Sequence, residues 1–426
     1  MTETLFDKDR PRRVIVAGGG AAGLIAAWRA ASRGASVVMI EKNSRLGMKI
    51  LISGGGKCNL THAGSMDDLR AQFRVDEARF LNPAFHRFTN TDFLAIMHAH
   101  GIATLARPDG RVFPVDGYNA HDVVAALTRL IETVRVVIVT QAPIDRLVID
   151  GGRVRGVQRG DLFTEADSVI VAAGGSSYPA TGTTGDGWRW ARDAGHRVVP
   201  LRAALAPITL ARPRPEWSGV ALRDVVLRAR VSDGGKEYAH WRGDTLFTHK
   251  GISGPCALGI SREVGEKLDG GLPGGGMLEV DLAPDHSFEH LQALMRDQIR
   301  LSPRRTIGWF ADGYLPERLR STFWDDAGVD PNMRGAHIAQ RDLNRLIRFV
   351  KGWSLGGAHS VPLERGEVVA GGVALDEVDS KTMGSRLVEG LYFCGEVLDI
   401  AGPVGGYNLQ AAWSTGYLAG EAAGAL

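Results

Sequence analysis

Cysteine is scarce. The 426 residues hold three, Cys58, Cys256 and Cys394. They are far apart and odd in number, with no CxxC pair and no zinc spacing. That argues against a disulfide framework and a metal site, and predicts a reducing, cytoplasmic setting. Long hydrophobic runs are also missing: none reaches the ~18 residues that a spanning helix needs. Neither sign of charge is in excess. Fifty Lys and Arg against 48 Asp and Glu leave +2. A dedicated nucleic-acid partner would show a basic surplus, so none is expected, and no membrane partner either. Internal repeats and low-complexity linkers are absent. What is abundant is glycine. Its 55 residues are about 13% of the chain, against a usual ~7%, with no collagen period. Glycine must mark turns and places where the backbone approaches something closely. The remaining composition, 44% hydrophobic and 23% charged, is that of a globular chain, and the length predicts about three domains at ~150 residues each.

Residues 1–11 read as a polar tail. Arg12-Arg13 before the apolar run Val14–Ala27 has the look of a secretory or twin-arginine signal. The run continues through Arg29 and Arg33 into a second apolar run, Ala35–Ile40, so it is read as part of the fold. Val14–Ala17 predicts a strand, Ala21–Arg33 a helix stopped by Gly34, and Ser36–Ile40 a second strand. This compact βαβ unit implies a parallel sheet buried on both faces. Leu51–His62 reads as glycine-rich loop, with helical patterns over Met66–Phe80 and Thr91–His100. Strands are expected at Val134–Thr140 and Ala142–Val148, a hairpin around Asp150-Gly151-Gly152, and a strand at Asp167–Ala173. After His196 the texture becomes β-rich and proline-punctuated, with a loop at Gly270–Gly276. Helical patterns return at Phe288–Ile299, Leu315–Phe323 and Ala339–Phe349. The early α/β character comes back at Val368–Leu375, Leu391–Cys394 and a helix over Leu409–Ala425.

Gly18-Gly19-Gly20-Ala21-Ala22-Gly23 fits G-x-G-x-x-G directly between a strand and a helix, the context a dinucleotide fingerprint requires. Gly18 permits the turn, Gly20 lets a pyrophosphate approach, and Gly23 lets helix pack on strand. The helix N-terminus offers N–H groups to the phosphates. Glu41, at the end of the second strand, is placed for an adenosine ribose. A second glycine-rich segment lies at the far end: Gly395-Glu396, then Gly402 and Gly405-Gly406-Tyr407-Asn408-Leu409 opening a helix. A nicotinamide enzyme needs no such return. A longer cofactor, FAD, does, with Glu396 on its ribityl chain and the helix start at its ring.

These residues resemble a known family. Gly18–Gly23 with Glu41, Lys49 through Thr61 (including Ser53-Gly54-Gly55-Gly56-Lys57-Cys58-Asn59), Ala172-Ala173-Gly174-Gly175, Thr181–Gly187, Phe247–Pro255 and Gly390–Gln410 are together similar to the BaiN-type (YhiN-like) flavoproteins, NAD(P)/FAD-dependent oxidoreductases with aminoacetone oxidase-like relatives. Lys57 stands where arginine is commoner, and Ala401 where an acid is frequent. The resemblance implies an α/β fold: a Rossmann-like FAD-binding domain (1–195 and 367–426), an inserted β-barrel-like domain (196–285 and 350–366) and a small helical module (286–349). The implied cofactor is noncovalent FAD. Its expected contacts are Gly18, Gly20, Ala22, Gly23, Glu41, Lys42, Lys49, Ser53, Gly54, Gly55, Gly56, Cys58, Asn59, Ala173, Gly174, Gly175, Asp186, Gly395, Glu396, Gly405, Gly406, Tyr407, Asn408 and Leu409.

The expected reaction is hydride transfer between bound flavin and a small organic substrate or NAD(P)H. No second strand–glycine–helix motif exists for NAD(P)H, so it would dock without a domain of its own. A redox sensor or partner-binding protein, and an RNA-modifying flavoprotein, are the alternatives. Thr248 and His249 are the catalytic candidates, since histidine moves protons near neutral pH. The strands ending at Ala17, Glu41, Ala173 and Cys394 all run into glycine-rich or cofactor-type loops. They are expected to point to one sheet edge, where ligands of such sheets bind.

Overall fold

The computed structural model describes residues 5–6, 12–272 and 276–425. Most of the expected polar tail and the centre of the Gly270–Gly276 loop lie outside them. The chain divides into two compact units: the residues up to Leu201 together with Glu367–Leu426, and Arg202–Gly366.

The first unit is organised by a seven-stranded sheet. Strand β1 (Arg13–Ala17) is a β-branched run whose Val14, Ile15 and Val16 are fully buried. It pairs in parallel with β2 (Ser36–Ile40) on one side and with Ser168–Val171 on the other. Val137–Val139 extends the sheet beyond β2, and Leu391–Phe393 extends it beyond Ser168–Val171, both in parallel. The carboxyl ends of β1, β2, Ser168–Val171 and Leu391–Phe393 therefore share one edge, as expected. Helix α1 (Ala21–Ser32) follows β1, and Gly34, with φ of +97°, takes the left-handed turn that ends it.

The C-terminal helix Tyr407–Ala423 lies against α1. Its Gly416 and Gly420, with Gly424 just beyond, face Ala22, Ala26 and Ala30. A Cβ on these glycines would stand 2.3, 2.3 and 2.7 Å from the carbonyl oxygens of those alanines. Hydrogen is the only side chain that fits. Glu421 ties this helix to Arg29 of α1 and to Arg87 of the helix Val75–Arg87, each at 2.6 Å. Hydrogen bonding to Arg87, opposed by partial burial and reinforced by Arg29, brings the Glu421 carboxyl from 4.5 down to about 2. A depressed carboxylate stabilises the fold above its unfolded pKa and stops doing so as pH falls through the folded one. Glu421→Gln is therefore expected to lose about 1–2 kcal/mol at neutral pH, after screening of the exposed Arg87. The gap to wild type should close between pH 4.5 and about 2. A gap in melting temperature that stays constant down to the acid end would refute this.

Several local expectations change. The loop Leu51–His62 begins inside a helix, Met48–Ile52, continues through a tight turn at Ser53–Gly56 and ends in a short strand, Thr61–His62. Met66–Phe80 is broken between Arg70 and Val75 into two helices. The helix Ala120–Thr133 had not been expected; Asn119 caps it through the His121 N–H. Trp188 and Trp190 are both buried and donate to carbonyls of Val397 and Asp145. Val368–Val373 does not rejoin the main sheet. It pairs with Val198–Ala204 in a separate two-stranded sheet.

The second unit is a closed barrel of six strands, ordered Ile208–Leu210, Gly251–Ser253, Glu237–Thr248, Ala221–Arg230, Met277–Asp281 and Trp353–Ser360. The helix Gly254–Asp269, also unexpected, packs on it with Pro255 in its first turn. Helices Phe288–Leu301, Glu317–Ala327 and Gln340–Lys351 share one apolar core with the barrel, through Leu291, Phe323, Leu343 and Trp353. Among the described residues the helical segment is thus a flank of the barrel unit and shares its core. Nearly fully buried Asp281 receives Arg228 at 2.9 Å and Lys351 at 2.7 Å, so its charge is compensated.

Candidate cofactor site

The fingerprint glycines divide by what surrounds them. Gly18, with φ of +113°, is in a conformation that only glycine adopts freely, and a Cβ there would meet Ala172 O at 2.5 Å. A Cβ on Gly23 would overlap Gly18 O at 1.9 Å. Both are closed by protein. Gly20, the N-cap of α1, has nothing within 4 Å of the same position. The helix start is therefore open on one side, the side a pyrophosphate takes. Ala22, two residues on, is buried beside Gly395.

Glu41 sits beneath this turn, almost buried. Its Oε2 accepts from Gly19 N at 2.7 Å and its Oε1 from Asn43 N at 2.8 Å. The carboxylate thus braces the turn before any ligand arrives, and each oxygen keeps a lone pair for a ribose hydroxyl. Neighbouring Lys42 reaches Asp186 at 2.6 Å. Burial opposes the charge on Asp186, but the Lys42 ammonium and the Thr184 hydroxyl outweigh it and hold that carboxyl below the usual range. Glu41→Arg removes both acceptors and inserts a cation. Losing charge-assisted bonds costs ~1.5–3 kcal/mol each, so FAD affinity is expected to fall at least tenfold. Unchanged flavin content in the purified variant would refute the role.

A second group forms behind Ala173-Gly174-Gly175. Lys49 Nζ lies 2.7 Å from Glu396 Oε2 and 2.6 Å from Ser177 Oγ. Glu396 Oε1 accepts from Val369 N at 3.0 Å. A Cβ on Gly175 would crowd Glu396 at 3.0 Å. Gly395, at φ +74°, donates to Thr415 Oγ1 at 3.0 Å. The fold thus brings Lys49, Ala173–Gly175 and Gly395-Glu396 together from three separate stretches of chain.

The third group is the loop Ser53–Asn59. Gly54, Gly55 and Gly56 all have positive φ, at 56°, 68° and 84°. Gly55 faces open space, whereas Gly54 is pressed on Asn59 and Phe113. Ser53 Oγ turns back to Ile50 O at 2.7 Å. Cys58 is fully buried, and burial pushes its thiol up to about 12. A thiol held protonated and out of solvent is neither a nucleophile nor a ready attachment point. Noncovalent FAD is the expected outcome: heat or acid followed by filtration should release yellow cofactor, and colour retained on the polypeptide would overturn it. The Asn59 amide, oriented so that both ends are satisfied, donates to Thr61 O at 3.0 Å and accepts from Gly406 N at 2.9 Å. It fixes the start of the C-terminal helix. Asn408 clasps Gly402 through N and O, both at 2.8 Å. Tyr407 is largely buried and stacks on His62 at 4.8 Å. Gly405 and Gly406 leave backbone beside this helix start, with Leu409 one turn in. Gln410, not foreseen as important, is a buried node bonded to Thr61 at 2.6 Å and Ser414 at 2.9 Å.

Thr248 and His249 belong to the barrel unit. Thr248 Oγ1 accepts from Gly251 N at 3.1 Å and closes the tight turn His249-Lys250, where His249 is exposed. Among the described residues His249 has no hydrogen-bond partner, and no group of three His, Cys, Asp or Glu side chains could hold a metal.

The family whose description is HI0933-like protein Rossmann domain matches residues 12–422. The chain belongs to this family. As a member of the HI0933-like family it is an FAD-dependent oxidoreductase with a Rossmann-type FAD-binding fold, and the open Gly20 and braced Glu41 fit that cofactor. It is similar to the ribosomal RNA dihydrouridine synthase of Haemophilus influenzae, with 32% identity over 95% of this chain and 96% of the relative. It is equally similar to the 3-dehydro-bile acid delta(4,6)-reductase of Clostridium scindens, with 31% identity over 96% of this chain and 98% of the relative. A solved 3-ketosteroid delta1-dehydrogenase from Sterolibacterium denitrificans shares the fold, with a TM-score of 0.51, 15% identity, and coverage of 96% of this chain and 99% of that one. No helix among the described residues is long and apolar enough to cross a membrane.

Proposed function

We propose that this chain reduces a carbon–carbon double bond conjugated to a carbonyl, with NAD(P)H as the hydride source. One observation carries the reading. Relatives of equal identity and near-complete coverage are named for saturating such a bond in unlike molecules, a uracil ring and a steroid skeleton. What they share is the reaction. FAD, when bound, supplies the hydride-accepting and hydride-donating ring between the two reactants. The chain's own contribution is to hold it by Gly20, Glu41 and Lys49-Glu396, and to supply a proton. His249, exposed and unengaged, is the proposed proton-moving group, with Thr248 shaping its turn. His249→Ala is expected to lower turnover about 100-fold with FAD content and melting temperature unchanged. Loss of FAD in that variant would make His249 a cofactor contact instead.

The substrate is proposed as a small conjugated ketone. The reading of a uridine within RNA has an observation of its own. Arg304, Arg305 and Arg334 lie on paired segments: Thr306 bridges Arg334, and Gly335 N donates to Arg305 O at 2.9 Å. All three are exposed, none has an acidic partner among the described residues, and Arg305 stacks over Trp309 at 5.2 Å. A net charge of +2 rules out a protein coated in positive charge, not one confined patch. The test is anaerobic. NADH or NADPH should bleach the flavin, and the yellow colour should return on adding either a 3-keto-4-ene steroid or a uridine-containing RNA. The arm that responds names the substrate class. If neither reductant bleaches the flavin and neither probe restores it, the proposal falls.

A further inference from the structure

We infer that Tyr178 is a substrate-binding catalytic residue, its phenol donating a hydrogen bond to the carbonyl conjugated with the reduced double bond. The assignment rests on the proposed reaction. It starts from the backbone. Tyr178 has φ of +52° and ψ of +63°, the left-handed region where a bulky side chain is an outlier. Such strain persists only where the surroundings over-determine it, and it gathers at working sites. Here the surroundings do so. The Tyr178 carbonyl accepts from Thr181 N at 2.8 Å, from Thr181 Oγ1 at 2.8 Å and from Thr183 Oγ1 at 3.3 Å. Pro179 fixes the next φ.

A strained aromatic residue is normally repaid by burial. This one is not: the residue keeps 37% of its surface exposed, while Ser177 before it is fully buried. The place is equally specific. Tyr178 follows the carboxyl end of the strand Ser168–Val171, on the edge where α/β sheets bind ligands. Its neighbour Ser177 holds Lys49 at 2.6 Å and donates to Glu367 O at 3.2 Å. The loop thus seats Ser177 on the Lys49-Glu396 group and leaves the next residue, Tyr178, partly exposed. Partial burial, with the Glu367 carboxylate nearby, raises the phenol. It stays protonated through neutral pH and remains a donor. As hydride reaches the far carbon of the double bond, negative charge grows on the carbonyl oxygen, and a placed donor stabilises it.

Tyr178→Phe keeps the ring and the backbone and removes only the donor. With the probe that re-oxidises wild-type flavin, re-oxidation of the variant is expected to slow about 100-fold. Bleaching by NAD(P)H, FAD content and melting temperature should stay as in wild type. The absorbance shift that this probe causes in the oxidised flavin should need at least tenfold more probe, and the alkaline fall in wild-type re-oxidation should vanish. Tyr178→Gly, free of strain at this φ, should melt within a few degrees of wild type yet be as slow as Tyr178→Phe. If Tyr178→Phe re-oxidises at the wild-type rate, or if its flavin content falls, the assignment is overturned while the reaction stands. If no probe re-oxidises the wild type, the proposed reaction fails and this assignment with it.

Discussion

A Gly20→Asp protein is expected to fold at least as stably as the FAD-free wild type and to purify without FAD. The two halves of that outcome have different causes. Gly20 is the N-cap of α1, with φ of −84° and ψ of −166°, a conformation open to any residue, and no side chain caps the helix. Aspartate is among the best N-caps and improves on glycine by a few tenths of a kcal/mol. Its charge also suits the positive end of the helix, by ~0.3–1 kcal/mol. Nothing lies within 4 Å to clash with it. The same carboxylate would occupy the N–H groups a pyrophosphate needs and repel its charge. Loss of two charge-assisted bonds at ~1.5–3 kcal/mol each means at least a 100-fold drop in affinity. Gly18→Ala and Gly23→Ala should behave oppositely and damage the fold itself, since their Cβ atoms meet backbone oxygens at 2.5 and 1.9 Å. Melting temperature of the apoprotein and flavin absorbance per polypeptide separate the cases. A yellow Gly20→Asp protein would show that the open side of the helix is not where the cofactor binds.

That division among the glycines was only half legible in the sequence. G-x-G-x-x-G assigns a role to each position, and the strand, turn, helix and second strand fell within a residue of where the apolar runs placed them. These elements are set by local pattern: a β-branched run buried on both faces, an alanine-rich helix, and a glycine stop. Elements set by amphipathicity were harder. Ala120–Thr133 is absent from the sequence expectations although Val123, Leu127, Leu130 and Ile131 lie on one helical face and Asn119 and Asp122 form a capping box. Gly254–Asp269 was hidden by its own start, because Gly254-Pro255 reads as a break until Pro is recognised as a first-turn residue. The barrel's closure depends on pairing between distant strands such as Met277–Asp281 and Trp353–Ser360, and no local pattern encodes it.

The site was legible as a set of segments and much less so as contacts. Glu41 was read as a ribose acceptor. The structure adds that it already accepts two backbone N–H groups, which nothing in the sequence could announce. Lys49, Ser177 and Glu396 meet across 347 positions of sequence separation between the first and last. Ser177 does not stand out in the sequence, because the second serine after Gly174-Gly175 looks like any turn residue. Asn59 and Asn408 carry amides that hold loops to the C-terminal helix, so their side chains build the frame and leave backbone groups beside it. Cys58, whose thiol is buried, belongs to the frame as well.

The Gly416, Gly420, Gly424 spacing is visible in the sequence, and the helix contact it permits carries the other large prediction. Gly420→Leu is expected to unfold the first unit at moderate temperature and to lose FAD with it. The Cβ would stand 2.3 Å from Ala26 O and 2.9 Å from Ala26 Cα. These are backbone atoms of α1, so no rotamer change relieves the overlap; the two helices must separate. Overpacking usually costs ~1–3 kcal/mol, and a leucine driven into a helix backbone belongs at or above the top of that range. Roughly 10 °C in melting temperature follows for a unit of this size. The loss reaches the cofactor because α1 opens at Gly20: moving the helix moves the N–H groups meant for the pyrophosphate. Ala26→Gly should not rescue the variant, since the clash is with the carbonyl oxygen and not the methyl group. That failure to rescue distinguishes a backbone contact from ordinary side-chain crowding. A Gly420→Leu protein that melts with the wild type and retains its flavin would mean that the two helices are not in this contact.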